Sequence, residues 1–260
     1  MPDSAHKAVV QEAFTQQAEV YAVSPTVADP ARIARLVEAI APAPESRVLE
    51  VACGPGYLAL AFGQRCREAV GLDLTDALLA IAERKRQERG LANVRFQRGD
   101  AERLPFADGE FDVTVCRLAL HHVEEPLRVL REMARVCRPQ GKVAVEDLVS
   151  SEHRARADYQ NRFEHLRDRS HTRTLSPSEM MGLFTAVGLE IERFYSGETV
   201  QNVERWLANS QTPPDRAKQV RVLIERDARE DLSGRRPYFE NGQWFFRHMT
   251  LAVVARRLGE

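Results

Sequence analysis

Apolar positions recur at helical spacing in some stretches and gather into short unbroken runs in others, and from residue 47 onward the two patterns alternate. Ahead of that point Val10, Phe14, Ala18 and Tyr21 predict one helix, broken at Ser24-Pro25. Asp29 as cap and Pro30 in the first turn open a second helix with the stripe Ile33, Leu36, Val37 and Ile40, stopped by Pro42 and Pro44. RVLEV (47–51), EAVGLDL (68–74), VRFQR (94–98), FDVTVCR (111–117) and KVAVEDL (142–148) read as strands. Residues 57–66, 76–89 and 126–137 read as the helices between them, with Gly90 as a left-handed stop and Pro139 and Gly141 closing the last. Strands separated by helices imply right-handed crossovers and a mostly parallel α/β sheet with helices on both faces.

After residue 150 the beat is interrupted. Ala155, Tyr159, Phe163 and Leu166 share a helical face in a charged stretch, residues 151–175, which reads as a lid or simply as a helix laid over the domain. Ser176-Pro177-Ser178-Glu179 is a capping box opening a helix that ends at Gly188. LEIERFY (189–195) and RHMTLAVVARR (247–257) read as two further strands. The segment 196–246 between them carries helical pieces at 203–208 and 216–227 and the aromatics Trp206, Tyr238, Phe239, Trp244, Phe245 and Phe246, suited either to a substrate wall or to core packing. The domain reading is residues 1–45 as N-terminal helices, 46–150 as the ligand-binding core, 151–175 as the lid and 176–260 as the rest of the core with its insertion.

Composition narrows the classes without choosing among them. With 43% hydrophobic and 29% charged residues the chain is globular, and 37 basic against 38 acidic residues give a net charge of -1 that offers no general attraction to nucleic acid. No apolar run approaches the ~18 residues of a membrane helix, and the first residues lack a leader pattern, so a cytoplasmic location without membrane insertion is expected. Cys53, Cys66, Cys116 and Cys137 are widely spread, which predicts buried thiols and no metal site.

The most informative segment is VLEVACGPGY. A strand ending in Glu50 runs into the small residues Ala52, Gly54 and Gly56 and then a helix, so backbone can approach a ligand closely. Glu50 repels a pyrophosphate but suits an ammonium group. Asp73, at the end of the next strand, can take both hydroxyls of a ribose, and Asp100 in Gly99-Asp100-Ala101 can accept from an adenine amino group. The spacing Gly54-x-Gly56-x-x-Ala59 would alone pass as a dinucleotide fingerprint; three acids at three successive strand ends are far more specific.

Across residues 47–148 the chain resembles the class I S-adenosylmethionine-dependent methyltransferases, most of all the small-molecule branch related to ubiquinone and menaquinone C-methyltransferases. The resemblance rests on VLEVACGPG, VGLDLTDALLAIA, VRFQRGDAERLPFADGEFDVTVCRLALHHV and LREMARVCRPQGKVAVED. It implies a Rossmann-like seven-stranded sheet with an antiparallel seventh strand, and S-adenosyl-L-methionine as cofactor. It also implies that Glu50, Ala52, Gly54 and Gly56 cradle the methionine part, Asp73 and Leu74 the ribose and adenine edge, and Asp100 and Ala101 the adenine amino group. Arg117 would present backbone to the cofactor and Tyr21 would close over it. Ala52 departs from the glycine of many members.

Residues after the fourth and fifth strands would face the reacting methyl. Methyl transfer from a sulfonium needs alignment and an electron-rich acceptor, such as a phenol, enol or hydroxylated aromatic carbon that a base has deprotonated. His121 and His122 are the candidate bases, with Asp147 to fix an imidazole tautomer. Arg167, Asp168 and His171 form a polar cluster in the lid that would either recognise the acceptor or pair on the surface. The leading expectation is thus a methyltransferase acting on a small aromatic or cyclic acceptor. The alternatives are an NAD(P)-dependent oxidoreductase and a non-catalytic S-adenosylmethionine-binding protein. The segments 151–173 and 196–246 could equally cover a pocket or pair two copies as a homodimer.

Overall fold

The computed structural model describes residues 5–259. Helices α1 (Ala5–Ala22), α2 (Pro25–Ala28) and α3 (Pro30–Ile40) precede β1 (Arg47–Val51), α4 (Tyr57–Gly63), β2 (Glu68–Asp73), α5 (Asp76–Glu88) and β3 (Val94–Arg98). There follow β4 (Phe111–Arg117), a single turn of 3-10 helix at Leu120–His122, α6 (Pro126–Val136), β5 (Cys137–Val149) and α7 (Arg154–Arg167). The chain closes with α8 (Pro177–Ala186), β6 (Leu189–Asn202), α9 (Val203–Asn209), α10 (Pro214–Glu230), β7 (Tyr238–Glu240) and β8 (Gln243–Arg257).

The sheet order is β3-β2-β1-β4-β5-β8-β6, with β7 added as a hairpin on β8. Strands β1 to β5 are parallel, and β8 enters antiparallel between β5 and β6. The expected sheet is therefore present, with one short strand more than the sequence pattern showed. Residues alternate between two cores. Leu49, Val51, Val70 and Leu72 pack with Leu130, Met133 and Phe184 from α6 and α8. Val48, Ala69 and Val115 pack with Leu36, Ile40, Leu60 and Phe62 from α3 and α4. Asp29 caps α3 through Ala31 N–H at 2.9 Å, and the Ser176-Glu179 capping box on α8 is complete, as the residue spacing predicts.

Three boundaries differ from the pattern. β5 begins at Cys137, so Pro139 and Gly141 lie within an irregular strand start rather than after a helix. β6 and β8 run on to Asn202 and back to Gln243, so much of the 196–246 segment extends the sheet. Its remainder, α9, α10 and β7, joins α7 in a separate cap whose own core holds Phe163, Trp206, Ile224 and Phe246. Among the described residues no helix is long and apolar enough to cross a membrane.

Candidate active site

Strand order reverses between β1 and β4, which opens a crevice at their carboxyl ends. A cleft of about 790 Å³ lies there. Its floor is built from the turns after β1, β2 and β3. Ala52, Gly54 and Gly56 all take positive φ, and a Cβ on Gly56 would come within 2.6 Å of the Phe96 ring, so only glycine fits that position. Asp73 fastens the turn: one carboxylate oxygen accepts the Gly54 N–H at 2.7 Å and the other the Thr75 N–H at 2.8 Å. Burial pushes its pKa up against those hydrogen bonds. Each oxygen keeps a second lone pair, so the carboxylate can still accept from a diol.

Asp100 accepts from the Glu102 N–H at 2.9 Å and from Lys7 Nζ at 2.6 Å, and Lys7 also pairs with Glu102. Gln11 donates to the Leu74 carbonyl at 3.0 Å. These bonds tie α1 across the outer end of the cleft, where Val10, Phe14, Leu72 and Leu78 supply apolar wall. Helix α1 thus supplies one wall of the cleft.

Two of the expected residues use their side chains outside the cleft lining. Glu50 is buried and accepts the Ala59 N–H at 2.7 Å, capping α4, whose own N-cap Gly56 has no side chain to do it. Desolvation raises its pKa to about 8. Arg117 turns its guanidinium to the carbonyls of Thr26 and Val27, both at 3.0 Å, and so anchors α2 to the sheet. Leu118 and Ala119 line the cleft in its stead, Leu118 at a φ of 55° with its N–H on the Glu146 carbonyl at 2.7 Å. The cleft thus gathers Tyr21, Ala52, Gly54, Asp73, Leu74, Asp100, Ala101 and His122, while Glu50, Gly56 and Arg117 lie behind its surface.

A second cavity of about 570 Å³ shares Phe14, Tyr21, Leu118 and His122 with the first. His121 lines it, with Nδ1 at 2.5 Å from Asp147 Oδ1 and its backbone N–H on Oδ2 at 3.1 Å. Burial works to lower the His121 pKa, but the charge and hydrogen bond of Asp147, helped by Glu164 and Asp168, outweigh it and the net shift is upward. The Asp147 bond fixes the proton on Nδ1 and leaves Nε2 as the basic nitrogen. His122 packs against His121 with ring centroids 4.2 Å apart, and its Nδ1 lies 3.1 Å from the Ser170 carbonyl, which can only accept. Burial and the neighbouring His121 hold His122 down to about 4. The two imidazoles are thereby driven apart, one toward the cation and one held neutral.

Arg167 lines this second cavity, stacked 4.9 Å over Trp206 and donating to the Trp206 carbonyl at 3.2 Å. His171 does not line it. It is buried, bonded to Asn161 at 3.0 Å, and packs behind His121 at 5.7 Å, a support rather than a contact surface. The aromatic insertion divides: Trp206 and Phe246 are core, and Trp206 also faces the cavity, whereas Phe239 is exposed. Sequence reasoning missed His248, which lines the cavity with Nε2 at 2.7 Å from buried Glu164. It also missed Lys7 and Gln17. A histidine inside the apolar run of the last strand was the one available signal.

A family described as methyltransferase domain matches residues 49–145. The chain is 34% identical over 207 residues to the uncharacterized methyltransferase YcgJ of Bacillus subtilis, covering 80% of this chain and 82% of that protein. It is 36% identical over 112 residues to the demethylmenaquinone methyltransferase of Renibacterium salmoninarum, a match that spans 43% of this chain and 45% of the relative. The crystal structure of the YcgJ protein superposes with a TM-score of 0.83 at 29% identity, over 88% of this chain and 98% of that one.

Proposed function

Because the chain belongs to the methyltransferase family and is an S-adenosylmethionine-dependent methyltransferase, we propose that it methylates a small, oxygen-bearing aromatic or cyclic acceptor held in the second cavity. In this reading His121 removes the acceptor's proton. The dinucleotide reading of Gly54-x-Gly56-x-x-Ala59 gives way to this membership, as does that of an idle binding protein. The observation that carries the proposal is the common wall: Phe14, Tyr21, Leu118 and His122 border both cavities, so an acceptor in the second meets a cofactor in the first with the His121-Asp147 pair beside it.

The cleft fits the cofactor by its own chemistry. Its glycine turn leaves room for close approach, its walls are apolar, and the buried Asp73 carboxylate is held ready for hydroxyl donors. Asp73 would hold the ribose, Ala52 and Gly54 the methionine part, and Leu74, Asp100 and Ala101 the adenine edge. When bound, S-adenosylmethionine supplies an electrophilic methyl on a sulfonium. The chain's residues orient the acceptor and manage one proton. Asp147 keeps the His121 Nδ1 protonated, Nε2 takes the acceptor's proton, and the imidazolium so formed is stabilised by the carboxylate. Neutral His122 adds a polar edge to the common wall without competing for that proton. Aromatic Phe14, Tyr21 and Trp206 suit a flat acceptor.

The test is release of S-adenosylhomocysteine with a panel of phenols, catechols and enols, beside amines and thiols, by the native chain and by His121→Ala. Turnover of an oxygen-bearing acceptor that collapses in His121→Ala, with cofactor affinity kept, is expected. Turnover confined to amines or thiols, or equal in the variant, overturns the reading.

A further inference from the structure

On the sheet face opposite the second cavity, a depression of about 650 Å³ lies between the end of β5, the middle of β6 and β8, and the loop after α10. Leu148 lines the second cavity and Val149 lines this depression, as strand alternation requires. Its polar walls are Ser150, Ser196, Ser233, Arg156 and Arg235, and among the described residues no Asp or Glu lines it. Arg235 is 4% exposed, yet its hydrogen bonds go to neutral acceptors, the Gln160 amide oxygen at 2.8 Å from Nε and the Val149 carbonyl. No carboxylate of the described residues pairs with it. Ser150 is 5% exposed and its hydroxyl has no hydrogen-bond partner. Arg156 stands at the rim, bonded to Asp231 at 2.7 Å, with the Gly234 backbone close against its guanidinium.

A buried guanidinium that hydrogen-bonds only neutral acceptors, with Glu164 and Asp227 acting on it through space but making no ion pair, and a buried hydroxyl without a partner are both costly, and an oxyanion seated between them lowers both costs. The donors come from three directions, helix α7, the end of β5 and the loop after α10, which suits a tetrahedral group better than a planar carboxylate. We propose that this depression binds a small tetrahedral oxyanion, a phosphate or the phosphate group of a monoester, between Arg235, Arg156 and Ser150. Burial, which lowers the Arg235 pKa to about 10, is the penalty that such an anion offsets. Arg235 joins Gln160 of α7 to the Val149 carbonyl, two residues along β5 from Asp147, so occupancy braces the cap against the strand that carries the catalytic carboxylate.

The experiment is calorimetry and thermal melting of the full chain, with saturating S-adenosylhomocysteine to keep anions from the cofactor cleft. The probes are inorganic phosphate, glycerol 3-phosphate and acetate. Phosphate should bind and raise Tm, and acetate should bind much more weakly. Ser150→Ala should weaken phosphate about ten- to a hundredfold, the loss of one hydrogen bond to a charged group, with S-adenosylhomocysteine affinity unchanged. Arg156→Gln, at the rim and safe for folding, should weaken it similarly, and Arg235→Gln should abolish it. Tighter binding of glycerol 3-phosphate assigns the site to an ester, and equal binding to free phosphate. No phosphate effect in the native chain, acetate binding as strong, or unchanged phosphate affinity in both Ser150→Ala and Arg156→Gln overturns the proposal.

Discussion

The two cavities share four residues and are built in opposite ways. The floor of the first cleft is made of backbone: three turns after three consecutive strands, with Asp73 and Asp100 each bonded to N–H groups of the turns beside them. The second cavity is made of side chains brought from far apart, Gln17 of α1, His121 after β4, Arg167 of α7, Trp206 of α9 and His248 of β8. A backbone site is set by local chain geometry and tolerates exchange of most side chains around it. A side-chain site depends on long-range packing, and single substitutions there should change chemistry while leaving the cofactor in place.

The largest expected effect tests that separation at Asp147. Asp147→Asn removes the charge that raises His121 and disturbs its tautomer, so kcat should fall by about 10²- to 10⁴-fold with S-adenosylmethionine affinity changed little. The pH profile gives the sign. The His121 pKa is raised in the folded protein, so the base is free only above that value, and kcat should rise with pH through it. In the variant the acid limb should move to lower pH. Stability runs the other way: the charged His121-Asp147 pair stabilises the fold fully below the ordinary histidine value of about 6.5, and that contribution is lost as pH rises through the folded one. Equal losses of cofactor affinity and turnover in Asp147→Asn would join the two cavities into one unit and break the comparison.

A smaller effect is expected at Asp73, on binding instead of chemistry. Asp73→Ala should weaken S-adenosylmethionine by about 1 to 3 kcal/mol, a Kd rise of about 5- to 150-fold, through lost ribose hydrogen bonds. It also leaves the Gly54 and Thr75 N–H groups without their acceptor, so Tm should drop as well. At saturating cofactor kcat should stay near the native value. Calorimetry giving native affinity would remove Asp73 from the cofactor site and leave it a turn-fastening residue only.

The same division explains what could be read in the sequence. The cleft was legible because its parts are local: a strand, a small-residue turn and an acid at the next strand end all fall within short windows. Glu50 has cleft residues as sequence neighbours, yet alternation puts its side chain with Val48 on the α4 face, where it caps the helix, a role the local pattern did not show. The chain turns at Leu118, so the side chains of Leu118 and Ala119 line the wall while that of Arg117 reaches α2. Strand β7 carries a hairpin signature, Asn241-Gly242 with both φ values positive, but three residues are too few for periodicity to show. In the second cavity the pairing of Glu164 with His248, across most of the C-terminal half, leaves no local trace. The His121-His122 pair and Asp147 stood out because they lie at the ends of strands that the pattern had already placed, whereas Arg167, Asp168 and Trp206 were noticed without a sign that they line this cavity.

The smallest effect sharpens the claim that the cleft is backbone-built. Ala52 holds a φ of 54°, a left-handed conformation that costs a residue with a Cβ about 1 to 2 kcal/mol. Ala52→Gly relieves that strain but enlarges the freedom of the unfolded chain, a penalty of about 0.4 to 1 kcal/mol. The two partly cancel, so chemical denaturation should show a gain of between zero and about 1.6 kcal/mol, and S-adenosylmethionine affinity should stay within about twofold. The logic is asymmetric: a site defined by where the peptide groups point loses nothing when a methyl is removed and the turn is kept. A destabilisation beyond about 1 kcal/mol, or a clear loss of cofactor affinity, would mean that the Ala52 methyl itself packs against the ligand or the turn. Side chains would then shape the cleft as they do its neighbour.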